Sequence, residues 1–157
     1  MNWVRFGLAI IVGGMLISII SMLFSNITTA VSPYDVLSLG GIRSITDPIM
    51  ILYFAYPFVL AFMMVLAYEY LKDAFRGSAN RKAFMLAAVT FMLAEIPSAF
   101  MVFASMDYPL GFYVDGVIGG FLYMLVAAKA IVWVIDGRTA KSSASAVKHQ
   151  IGIKRKK

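Results

Sequence analysis

The chain contains no cysteine and one histidine, and only 14% of its 157 residues are charged. Without cysteine there is no disulfide framework, no CxxC redox pair, no thiolate metal site and no cysteine nucleophile. The single histidine, His149, stands in a polar C-terminal stretch. A bis-histidine haem or a histidine-built zinc site within the apolar body is therefore excluded, and no metal or cofactor is expected. The apolar runs hold no Walker loop, no GxGxxG after a strand and no serine–histidine pair, which argues against an enzyme. Ordinary soluble domains carry about a quarter charged residues. With 61% hydrophobic residues and a mean hydropathy of +0.84, this chain reads instead as an integral membrane protein.

Strict alternation of polarity is also missing, so a closed barrel is excluded and helices are the spanning element. Crossing about 30 Å of hydrocarbon takes about 20 helical residues. Four apolar runs are long enough: 3–24, 48–71, 83–104 and 110–135. They predict an all-α, four-helix antiparallel bundle over residues 1–136, followed by a cytoplasmic tail at 137–157. The first run is too long for the apolar core of a cleaved signal peptide. Gly77-Ser78-Ala79-Asn80 reads as a polar turn and Asp107-Tyr108-Pro109 as a tight one. The 25–47 connection is the longest, and it reads as either a surface cap or a lid.

The positive charge is unevenly placed. Arg138, Lys141, Lys148, Lys154, Arg155, Lys156 and Lys157 give the tail +7 with no acid, while the seven other basic residues face eight acids and leave the body at −1. The 72–82 connection carries Lys72, Arg76, Arg81 and Lys82, whereas the other two connections share only Arg43. By the positive-inside rule both termini lie in the cytoplasm, with a plasma or inner membrane as the location. The tail is expected to be disordered and drawn to anionic headgroups. No aromatic residue interleaves with its charges, so nucleic acid is not an expected partner.

The costly residues lie inside the spans. Glu95 falls well within hydrocarbon, where an acid costs about 2.5 to 3.5 kcal/mol to insert. Desolvation there favours the neutral acid, which can carry a proton or donate a hydrogen bond. Depth places Tyr56 near the level of Glu95, with Tyr53 one turn above and Asp115 slightly higher. These four can line an outward-facing polar pocket, or the tyrosines and Asp115 can serve as interfacial anchors. Lys129, fourteen residues or nearly four whole turns after Asp115, is expected on the same helix face. It either faces the bundle interior or snorkels towards Asp136. Gly13-Gly14 and the Gly116, Gly119, Gly120 group let helix backbones approach closely, within the monomer or between copies.

Three function classes stand at this point, an intramembrane enzyme being the last of them. The leading one is a non-enzymatic structural or assembly component of a membrane complex, partnered by lipid, a second copy or another subunit. The alternative is a small proton- or cation-linked transporter using Glu95 with Asp115 and Lys129.

Overall fold

The computed structural model describes residues 2–35, 37, 39–40 and 43–136. The basic tail from 137 onwards, including its seven lipid-binding candidates, lies outside the described residues. Among the described residues there is no strand, and four helices are each long and apolar enough to cross a membrane. They are α1 (Trp3–Val31), α2 (Pro48–Leu71), α3 (Ala79–Ser105) and α4 (Leu110–Asp136).

Local chemistry explains where these helices begin and end. Asn2 caps α1, its side-chain oxygen accepting from the Val4 and Arg5 amides. The helix runs on to Val31, past the apolar run expected to stop at residue 24. In its polar extension the side chains satisfy themselves on the helix's own carbonyls: Asn26 Nδ2 donates to Met22 O at 2.8 Å and Thr28 Oγ1 to Ser25 O at 3.0 Å. Asp47 caps α2 by accepting from the Ile49 amide, and Pro48 fills the first turn, where no amide is needed. Gly77 turns the chain with φ +111, a conformation that suits glycine. The polar turn is nevertheless shorter than expected, since Ser78 caps α3 and Ala79 and Asn80 are already helical.

The helices α1 and α4 lie side by side in opposite senses. Arg5 meets Ile135, Gly13 meets Ile131, Phe24 meets Gly119 and Ser32 meets Gly111. Close approach makes this seam. A Cβ on Gly111 would stand 2.8 Å from the Ser32 carbonyl oxygen, and one on Gly119 would stand 2.6 Å from the Phe24 ring. Gly13 fits against Ala61 and Ile131, and Gly14 against Phe58. The small residues thus serve contacts within one chain, where packing rather than water exclusion holds helices together.

Buried side chains gather towards one end of the bundle. Met64, Val65 and Tyr68 of α2 meet Leu86 of α3 and Met124 and Ile131 of α4, all fully buried. Asp136 closes this end by accepting from Tyr68 Oη at 2.7 Å and Lys82 Nζ at 2.8 Å on one oxygen. Arg5 donates to the Ile135 carbonyl at 3.3 Å. Towards the other end α1 and α4 stay packed at Ser32 and Gly111, whereas α3 has no buried residue from Ile96 to Ser105.

Candidate mid-membrane polar site

Two helices widen by one residue at a level where α3 buries no residue. In α3 the turn Phe91–Glu95 is π-type, with the Ile96 amide reaching back to Phe91 O. Pro97 lies just beyond and has no amide to give Leu93. In α4 the turn Asp115–Gly119 is also π-type, and the Gly120 amide reaches Asp115 O. Such single wide turns insert an extra residue and re-aim the side chains that follow.

The two turns bring Glu95 onto the glycine face of α4. A Cβ on Gly120 would stand 3.2 Å from Glu95 Cγ and 3.5 Å from its Oε1, and one on Gly116 would stand 3.9 Å from Oε1. The carboxyl therefore lies flat where other residues would carry side chains. Tyr123, one turn beyond Gly120, donates its hydroxyl to Glu95 Oε2 at 3.5 Å. Tyr56 of α2 completes the group, lying near Tyr123 and close enough for the Glu95 charge to act on it. Three helices thus contribute one acid and two phenols. Glu95 is half-buried, about 15 Å along the helix from the Ser105 end. Five residues earlier, Thr90 Oγ1 is buried with no hydrogen-bond partner among the described residues.

The other candidates from the sequence lie elsewhere. Tyr53 is 60% exposed, its ring edge-on to Phe54 at 5.7 Å. Asp115 turns to the connection just beyond α1, where its Oδ2 accepts from Tyr34 Oη at 2.9 Å. Burial holds the Tyr34 phenol above its ordinary range, and the hydrogen-bonded Asp115 carboxylate adds to this. Lys129 is exposed on α4, and Asp136 is taken by Lys82 and Tyr68. The π turn explains why Asp115 and Lys129 part. Fourteen regular steps would leave them about 40° apart, and one inserted residue opens this to about 140°. Tyr123 was not among the expected residues. Its signal was the spacing Gly116, Gly120, Tyr123, which puts a phenol on the glycine face of one helix.

Among the described residues no three of His, Cys, Asp and Glu cluster as a metal site. No family model matches the chain, and neither does any curated protein or solved structure. What the site can do follows from its chemistry. A single carboxyl at mid-membrane depth, with one long hydrogen bond and a half-exposed face, can take up and give back a proton or hold one positive charge.

Proposed function

We propose that this chain is a small, non-enzymatic carrier in the membrane, linked to protons or cations, with Glu95 as the group that binds the ion. The observation that carries this is the poor satisfaction of the Glu95 carboxyl. A carboxyl retained as glue between helices would be enclosed by short hydrogen bonds. Glu95 instead has one contact at 3.5 Å and stays half-exposed where α3 buries no residue. The closed opposite end, tied by Tyr68, Lys82 and Asp136, supports one-sided access to the site. The uneven placement of Lys72, Arg76, Arg81 and Lys82 supports setting that closed end and both termini in the cytoplasm. In proteoliposomes with an imposed pH gradient, wild type should dissipate the gradient and Glu95→Gln should not; equal rates for the two sink the proposal.

An assembly role is the second reading, favoured by the outer part of α3, where residues 96–105 bury nothing. It predicts that wild type and Glu95→Gln both match empty liposomes and that a stoichiometric membrane partner copurifies. Reporter enzymes fused after Lys82 and near Gly40 test the orientation, which fails if the Gly40 fusion reports cytoplasm.

A further inference from the structure

We propose that the Glu95 site takes an organic ammonium ion that still carries N–H groups, a protonated primary or secondary amine with an apolar body. This rests on Glu95 being the ion-binding group, and it names the ion. The acceptor count carries it. Among the described residues Glu95 Oε1 accepts no hydrogen bond, while Tyr123 Oη gives its proton to Oε2 and keeps its lone pairs. Tyr56 Oη, beside Tyr123, is the third acceptor. Three acceptors around one negative charge match the donors of a primary ammonium.

Other ions fit less well. Calcium takes about 6 to 8 oxygen ligands, and magnesium is bound through several waters that it gives up reluctantly. One carboxylate and two phenols supply neither set, and among the described residues no further acid joins Glu95, since Asp115 turns to Tyr34 beyond the end of α1. Among the described residues no cation stands beside Glu95 to hold an anion, since Lys82 is paired to Asp136 and Lys129 is exposed elsewhere. The apolar body has a place as well. Residues 96–105 of α3 bury nothing, and Tyr56 is 48% exposed, so the route from Glu95 to hydrocarbon is open. If the amine meets a protonated Glu95, the carboxyl proton leaves to water as the ammonium takes its place, and the net charge at the site is unchanged; if it meets the carboxylate, no proton leaves and the charge rises by one.

The test is calorimetric titration of the full chain in detergent, at fixed pH, with cyclohexylammonium, tetramethylammonium, sodium and magnesium. Cyclohexylammonium should bind saturably and at least about tenfold tighter than tetramethylammonium, which has no N–H to donate. Glu95→Gln should abolish binding, Tyr123→Phe should weaken it about tenfold, and Tyr53→Phe should leave it unchanged. If Glu95→Gln fails to fold, as judged by lost helical signal, Tyr123→Phe against Tyr53→Phe decides. Equal affinity for tetramethylammonium, tighter binding of sodium or magnesium, or the same affinity in Tyr123→Phe overturns the assignment. If cyclohexylammonium fails to bind while Glu95-dependent proton flux persists in liposomes, the ligand class falls and the carrier stands. Absence of both removes both.

Discussion

Asp136 holds two donors on one oxygen, which makes its removal unusually informative. Tyr68 is fully buried, while the side chains of Lys82 and Asp136 remain 25% and 33% exposed. In Asp136→Ala the Tyr68 hydroxyl loses its acceptor with no solvent to replace it, at about 1 to 3 kcal/mol. Loss of the partly exposed ion pair adds under about 1 kcal/mol. Tyr68→Phe by itself should cost only about 1 kcal/mol, because Asp136 keeps Lys82 and some water. The double variant Asp136→Ala, Tyr68→Phe then has no orphaned hydroxyl. It should be about 1 kcal/mol more stable than Asp136→Ala, despite one more substitution. Unfolding in mixed micelles by titration with SDS, followed by helical circular dichroism, measures all three against wild type. Simple addition of the two single losses, with the double variant the least stable, would refute the buried-hydroxyl argument.

Three further outcomes follow from the packing. Gly120→Ala places a methyl 3.2 Å from Glu95 Cγ and should impair Glu95-dependent flux, whereas Gly116→Ala, at 3.9 Å, should leave it near wild type in the same liposome assay. Gly111→Val sets a branched side chain against the Ser32 backbone oxygen, which cannot rotate away, and should lower stability by about 1 to 3 kcal/mol in the micelle titration. The Ile49 amide, and then Arg43, hold the Asp47 carboxyl below its ordinary range. Its capping contribution is therefore present above the unfolded carboxylate pKa and lost as pH falls through the lowered folded value. Amide exchange at residues 49–51, corrected for intrinsic rates, should quicken on that descent, and Asp47→Asn should flatten the dependence.

Helix existence was legible because it depends on length and continuous apolarity, which are local properties. The second span, 48–71, coincides with α2. Helix ends were less legible. Hydropathy stops α1 near residue 24, but the helix continues to Val31 with Asn26 and Thr28 satisfied on its own carbonyls. Glu95 and Tyr56 were found by depth alone, since helical rise converts residue number directly into position along the membrane normal.

Azimuth is a different quantity, and it belonged to the tertiary structure. Which way a side chain points depends on every turn before it, so one wide turn at Asp115–Gly119 is enough to separate Asp115 from Lys129. Which acid meets which donor also depends on neighbours distant in sequence. Asp136 went to Tyr68 and Lys82, Asp115 to Tyr34, and Glu95 to Tyr123. The sequence by itself determined four helices long and apolar enough to cross a membrane, with an acid well inside the third. The packing of α2, α3 and α4 decided that this acid lies on a glycine face beside two phenols, because contacts across helices are set by rotation and register that no single run of residues contains.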